Sequence, residues 1–451
     1  MLLLVLLLYA GLLTAVGIGR KHLSDADGFF FASHRLGTAW VAITLTASWV
    51  GAASTLVTLR RAATGGHAAM WVMAVPTILT LLSFLALGGS IRKRGFTTLP
   101  NMLRRVYGRR VTAIAAALIL IYMILLTASQ LVAWGKLLHG AGSLPYHLAV
   151  LSGAVLICAY SLAGGFFSVV RTDGIQLVFL GTAIMVIYFT IGRGAGESIS
   201  RGITRFAHGA GEHSLLVLSF TLAWVISPIV WQRVAAARSA GSAKRGILIA
   251  AAAILLFYLM VIPSGMALGT VSTNTADLLA RLAQLLPGWA WTLVFLGLGS
   301  AILSTADTAL NLAAMTISLD LIRPGKSGKL SAARWSTLAA ATLAAAVSLR
   351  LPSILQTLGA ASEIMASGLF VPGIAALFLA RPFPRAGACS LIAGGGFALA
   401  STLNTFGLPL SLPPWPVSLP LGMGFSLAGF GLGFILDYKK KRQHAGGSRF
   451  F

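Results

Sequence analysis

Apolar residues in this chain run in long blocks, with neither the strict alternation of a half-buried strand nor the one-sided stripe of a surface helix. Thirteen such blocks are read, at roughly 1–19, 36–57, 67–90, 111–134, 147–164, 174–192, 214–232, 246–268, 288–318, 331–349, 352–380, 386–403 and 416–437. Most approach the roughly 20 residues that a helix needs to cross a hydrocarbon core about 30 Å thick. The intervals between them are short, and none is long enough to fold as a soluble domain. The pattern predicts an all-α polytopic membrane protein with about 13 transmembrane helices.

Composition points the same way. Of 451 residues 57% are hydrophobic and 10% charged, where soluble domains are closer to half and a quarter. Soluble enzymes and nucleic-acid modules are poor fits to such a chain. The net charge of +24 would mean a polyanion partner in a soluble protein. In a membrane protein it raises the question of which side the positive charges occupy. The first apolar run is followed by Arg20 and Lys21 and has no basic stretch before it, the reverse of a signal peptide. It reads as a retained helix with its N-terminus outside. In that orientation the cytoplasmic segments, the loop from Arg233 to Arg245 among them, hold 26 of the 34 Lys and Arg and the external ones 8. The positive-inside rule therefore selects an external N-terminus and an internal C-terminus in the inner (cytoplasmic) membrane, with the lipid bilayer as partner and no nucleic acid. Segment 91–110 reads as a basic interfacial helix beside anionic lipid. Cys158 and Cys389 lie inside apolar runs and the eight histidines form no HExxH pattern, so no metal or redox spacing is present.

Two spans carry signals of a broken helix. The second has Gly51 among small residues, and the seventh has Ser227–Pro228 near its middle. They lie five spans apart, so inverted repeats of spans 2–6 and 7–11 would put the breaks in corresponding positions. Interrupted helices in matching positions mark midplane sites in transporters, because freed backbone groups are tolerated only where they line a cavity or ion site. The alternative is close packing at Gly51 and an ordinary kink at Pro228. In the ninth span Ala301, Ser304, Thr305 and Thr308 fall at i, i+3, i+4 and i+7 on one helical face. Adjacent hydroxyls there suit a monovalent cation, with carbonyls from a broken helix completing the set. Hydroxyls that bond the preceding turn or pack helices are the competing account.

At this point the chain resembles a known family. The stretches YSLAGGFFSVVRTDGIQ (160–176) and WQRVAAARSAGSAKRG (231–246) are similar to signatures of the sodium:solute symporter family. DGFFFASHRLG (27–37), the small-residue second span, LSTADTALN (303–311) and LFVPGIAALF (369–378) match in the same order. The resemblance implies a leucine-transporter-like core of two inverted five-helix repeats, 36–192 and 193–380. It places an extra helix and loop at 1–35, and two helices with a basic tail at 381–451. It further implies alternating access driven by co-transported Na⁺. Carried over residue by residue, the family's sodium site falls on the carbonyls of Ala47, Val50 and Ala301 and the hydroxyls of Ser304 and Thr305. Asp173 falls on the inward ion exit path, the alternative being a carboxylate capping a helix N-terminus.

The remaining polar groups bear on the substrate. Asp307 lies off the Ala301–Thr308 stripe and reads as a structural partner. Glu363 is a carboxylate inside a span, costly enough to count as functional by default, facing either the cavity or Arg350. Trp49, Trp71, Trp224 and Trp231 are candidate apolar or cation–π walls. Substrate contacts are expected from Trp49, Gly51, Ser54, Ser227, Trp231 and Glu363. Ser54, the apolar run MWVMAVP at 70–76 and Ser227, which correspond to stretches that recognise hydroxyls in the family's sugar transporters, are poorer in amide and charged groups, so a sugar is disfavoured. The expected function is Na⁺-coupled import of a small organic solute. H⁺ coupling through Glu363 or Asp173, or a transporter-like solute sensor, stand as alternatives. An intramembrane enzyme finds no catalytic arrangement in the spans.

Overall fold

The computed structural model describes residues 2–17, 26–31, 35–93, 98–142, 144–195, 199–269, 275–323, 325, 328–351, 353–379, 382–408 and 410–447. Arg20, Lys21, parts of the 27–37 and 91–110 segments and the end of the basic tail lie outside these residues. The described chain is helical: α1 (Leu2–Gly17), α2 (Ala26–Phe31), α3 (Thr38–Trp49), α4 (Thr58–Gly65), α5 (Met70–Lys93), α6 (Leu99–Gly140), α7 (Tyr146–Ile187), α8 (Ile199–Glu212), α9 (Ser214–Val225), α10 (Pro228–Ala236), α11 (Ala240–Met266), α12 (Thr275–Leu285), α13 (Gly288–Met315), α14 (Lys329–Ser348), α15 (Ile354–Glu363), α16 (Val371–Phe378), α17 (Pro384–Thr405) and α18 (Leu419–Gly447). Among the described residues ten helical runs are long and apolar enough to cross a membrane.

The difference from thirteen has local causes. The run at 146–192 covers both the fifth and sixth blocks. At about 1.5 Å per residue its helix is roughly twice as long as a hydrocarbon core is thick. Gly165 interrupts it at φ 55°, ψ −145°, a conformation that side-chain-bearing residues rarely adopt. A Cβ there would also lie 2.5 Å from the Phe29 carbonyl of α2, so glycine is required on both counts. The second block does not form one helix, and the first forms only the short α1.

α13 is the axis of the molecule. It is buried almost all round and packs most extensively on α7 and α6. Its small residues permit the approach: a Cβ on Gly297 would strike Ala183 of α7. The outer shell shows the bilayer's mark, with Leu8, Val155, Val178, Leu256, Phe378 and Leu432 exposed. Before Gly108 (φ 82°) α6 begins with a separate stretch of about two and a half turns that buries Leu99, Met102, Leu103 and Val106 and exposes Arg104 and Arg105.

Candidate functional site

Two broken helices meet beside α13. α3 ends because Val50 leaves helical geometry (φ −88°, ψ 75°) and Gly51 follows. The chain resumes at Ala52 and runs through a π-helical turn, Ala53–Val57, into α4. The freed Ala52 N–H donates to Gln130 Oε1 at 2.9 Å, so an amide on α6 satisfies the break. A Cβ on Gly51 would sit 2.5 Å from Thr305 Oγ1 and 2.9 Å from Gln130 Oε1; only glycine fits. α9 ends before Ile226 and Ser227, and α10 restarts with Pro228 in its first turn, where a missing N–H costs nothing. Ser227 Oγ accepts from the Ile229 N–H at 3.3 Å as the cap. The ends of α3 and α10 remote from the breaks are tied by main chain: Leu36 N–H donates to Ala236 O and Arg238 N–H to Leu36 O.

The break in α3 turns its carbonyls toward the hydroxyl pair of α13. Ser304 Oγ donates to Ala47 O at 2.8 Å, with Ala301 O at 3.1 Å. Thr305 Oγ1 donates to Ser48 O at 3.1 Å, with Ala301 O at 3.3 Å. Ala47, Ala301, Ser304 and Thr305 thus converge as the sequence suggested. The carbonyl that meets Thr305 belongs to Ser48; Val50 spends its N–H on Thr46 O and stands at the break itself.

One turn along α13 lies a network that sequence reasoning misjudged. Arg233 was counted among cytoplasmic loop charges, yet it is wholly buried. The α10 helix carries it inward, because the helix starts only at Pro228 and Arg233 falls in its second turn. Its Nη2 donates to Ser48 Oγ (2.5 Å), Thr308 Oγ1 (2.8 Å) and Thr44 Oγ1 (3.3 Å). Asp173 Oδ2 lies 4.0 Å away and accepts from Thr44 Oγ1. The guanidinium also lies over the Phe166 ring, 5.2 Å from its centre. Thr308 is therefore part of this network, not simply a packing residue. Asp173 sits in the interior of α7, beyond the Gly165 kink, so the capping alternative fails: no helix starts there. Asp307 takes the structural part expected of it, accepting from Tyr160 OH at 2.7 Å.

Beside the break is a cavity that encloses about 450 Å³ with its open mouth included. Trp49, Gly51, Ser54 and Ser227 line it, with Met73, Tyr122, Gln130, Trp224, Ile229 and Leu358. Its lining side chains carry no formal charge. Trp49 packs edge-on to Trp224 at 5.6 Å and donates to Thr77, and Tyr258 OH donates to Ser54 Oγ at 3.0 Å.

Two expected members are elsewhere. Trp231 is two residues beyond Ile229, about 200° round the helix, and lines a separate crevice with Thr98, Gln232 and Asp320. Glu363 is five residues beyond Leu358 and turned from the cavity; it is fully buried and accepts from Ser401 Oγ of α17 at 3.0 Å. Trp71 donates to Phe206 O of α8 at 2.7 Å. Gln130 escaped the sequence reading although an amide inside an apolar span is a signal in its own right. Among the described residues no group of three or more His, Cys, Asp or Glu is placed to hold a metal.

Known proteins resemble this chain over most of its length. The family described as "Sodium:solute symporter family" matches residues 29–394. A sodium/glucose cotransporter of Vibrio parahaemolyticus is 25% identical over 403 residues, 76% of this chain and 72% of that protein. High-affinity choline transporter 1 of Drosophila melanogaster is 27% identical over 271 residues, 57% of this chain but 43% of its own length. A Na⁺-coupled sialic acid symporter solved in a substrate-bound outward-open state shares the fold, with a TM-score of 0.76 over 96% of this chain and 97% of its own at 16% identity. The family match takes in both interrupted helices and the α13 segment that faces them; the chain belongs to the sodium:solute symporter family, and is a transporter and not an enzyme.

Proposed function

We propose that the protein is a Na⁺-coupled secondary active transporter that imports a small organic solute by alternating access. The observation that carries this reading is the convergence of the Ala47 and Ser48 carbonyls with Ala301 O and the Ser304 and Thr305 hydroxyls. Unwound carbonyls plus side-chain hydroxyls form a hard-oxygen site in an otherwise apolar interior, the arrangement that coordinates Na⁺ in transporters built on broken helices. In this reading Ala47, Val50, Ala301, Ser304 and Thr305 hold the ion, and the hydroxyls turn from the carbonyls to the cation when it arrives. The solute occupies the adjoining cavity against Trp49, Gly51, Ser54 and Ser227. Gly51 couples the two, since it touches Thr305 and lines the cavity. Asp173 stands on the ion's way to the cytoplasm. Thirteen spans, inverted repeats at 36–192 and 193–380, an external N-terminus and an inner-membrane location complete the reading.

A buried cation must be compensated by oxygen dipoles. By analogy with hydrogen bonds to charged groups, losing one ligand forfeits about 1.5–3 kcal/mol, a roughly 10- to 150-fold loss of affinity. In proteoliposomes with an imposed Na⁺ gradient, Ser304→Ala and Thr305→Ala are each expected to raise the half-saturating Na⁺ concentration by that factor. Thr305→Ser, which keeps the oxygen, is expected to be mild. Linkage requires solute affinity at fixed Na⁺ to fall as well. Wild-type Na⁺ dependence in both alanine variants would overturn the site.

A further inference from the structure

We infer that the transported solute is a small organic monoanion, a carboxylate on a compact apolar body. The inference rests on the transporter reading above and concerns the charge of what enters the cavity. A second cavity, about 360 Å³, is lined by Leu56, Val57, Arg60, Lys136, Ile354 and Leu355, with Thr275 and Ser353 at its edge. It lies one to two turns further along the same three elements that wall the central cavity. Ala53 and Ser54 lead to Leu56, Val57 and Arg60; Gln130 on α6 leads to Lys136; Leu358 on α15 leads back to Ile354 and Leu355. Six residues of helix from Gln130 to Lys136 correspond to about 9 Å of rise, which sets the second cavity where a vestibule to the first would lie.

Its two cationic side chains are partly buried, not splayed into solvent. In the proposed orientation they lie on the external side, where the positive-inside rule depletes Lys and Arg. Their presence there has no topological explanation. The whole external face repeats the bias: eight Lys and Arg stand in those segments against the three acids Glu197, Glu212 and Asp277. Arg61 adjoins Arg60 on α4, and α8 brings Arg201 and Arg205 to the same side, its Gly202 against His67. An excess of Lys and Arg over acids at a low-dielectric mouth favours ions of opposite charge over cations.

The central cavity continues the gradient without a formal charge. Residues at the start of the two half-helices line it, Gly51, Ala53 and Ser54 at one and Ser227 and Ile229 at the other, and helix N-termini carry partial positive charge. The opposing negative end of α3 is engaged by the Ser304 and Thr305 hydroxyls. Tyr122, Gln130, Ser54 and Ser227 offer neutral polar contacts, while Met73, Leu358 and the faces of Trp49 and Trp224 suit an apolar body. A neutral polyol leaves too many hydroxyls unpaired there. An organic cation would have to pass Arg60 and Lys136.

The test uses the full chain in proteoliposomes of zwitterionic lipid under an inward Na⁺ gradient, with labelled lactate, pyruvate, benzoate, glucose and choline as probes. The expected result is uptake of at least one carboxylate, with an apparent KM that rises with ionic strength. Arg60→Gln and Lys136→Gln should each raise that KM about 3- to 10-fold and flatten its salt dependence. Arg60→Lys and Lys136→Arg should restore it, which separates loss of charge from loss of folding. Na⁺-driven uptake of glucose or choline in preference to the carboxylates overturns the inference and leaves the symporter reading standing. Carboxylate uptake indifferent to Na⁺ overturns the symporter reading and supports the inference. If no carboxylate enters, quenching of tryptophan fluorescence in detergent, reporting on Trp49 and Trp224, is the second readout; its absence with lactate, pyruvate and benzoate alike overturns the inference.

Discussion

At the scale of single residues, the interior of this protein shows how little charge a membrane span tolerates and how thoroughly that charge is engaged. Arg233 is buried with three hydroxyl acceptors, a carbonyl, an amide oxygen, an aromatic face and the Asp173 carboxylate around it. Breaking a buried pair by removing one partner costs about 3–5 kcal/mol, chiefly because the other charge is left uncompensated. Asp173→Asn and Arg233→Gln are each expected to destabilise the protein by that order, whereas the double variant, which removes both charges, should recover a good part. Thermal unfolding of the four proteins in one detergent closes the cycle. Strictly additive losses would mean that the 4.0 Å pair does not couple. Transport separates a second role. If Asp173 serves ion release, the Asn variant slows turnover beyond its loss of folded protein while external Na⁺ affinity stays near wild type.

At the scale of elements, function follows from places where helices stop. Pro228 and Gly51 end helices for different reasons, one by lacking an N–H and the other by admitting close approach. Gly51→Ala places a methyl against Thr305 and Gln130. Overpacking of this kind costs about 1–3 kcal/mol. Because the displaced atom is the Thr305 hydroxyl, Na⁺ affinity should fall at least tenfold with only a modest drop in melting temperature. Gly165→Ala should behave in the opposite way. It combines positive φ with a clash on the Phe29 carbonyl, far from the hydroxyl pair in sequence, and should lower stability more than Gly108→Ala. The Gly108 Cβ meets open space at similarly positive φ, so that variant carries backbone strain alone. Equal melting temperatures for the Gly165 and Gly108 variants would remove the packing account of the α7 kink.

At the scale of the whole molecule, the arrangement is that of a shell of lipid-facing helices around α13, and orientation in the bilayer is set by charge. In the proposed orientation Arg233 leaves the cytoplasmic tally, and the excess of Lys and Arg on that side over the 8 outside hardly changes. A reporter fused at the C-terminus is expected to be active in the cytoplasm and inactive in the periplasm. Periplasmic activity would reverse the vestibule and the direction of transport argued for it.

The sequence by itself determined the class of the molecule, because long apolar runs with so few charges are compatible with little besides helices in lipid. It also determined where helices break, since Gly51 and Ser227–Pro228 act through their own backbone chemistry, and it placed Ala301, Ser304 and Thr305 on one face by helical period alone. What it left open depended on contacts between residues far apart in the chain. Arg233 looks like a loop charge until α10 is seen to start at Pro228 and carry it beneath Ser48 and Thr308. Trp231 and Glu363 look like substrate contacts until helical rotation turns both from the cavity. Gln130, 78 residues from the Ala52 N–H that it accepts, has no local pattern linking it to the break. Periodicity fixes direction within one helix. Only packing decides which helix stands opposite, and in an interior without water it is that partner which determines whether a polar group is structural, ion-binding or solute-facing.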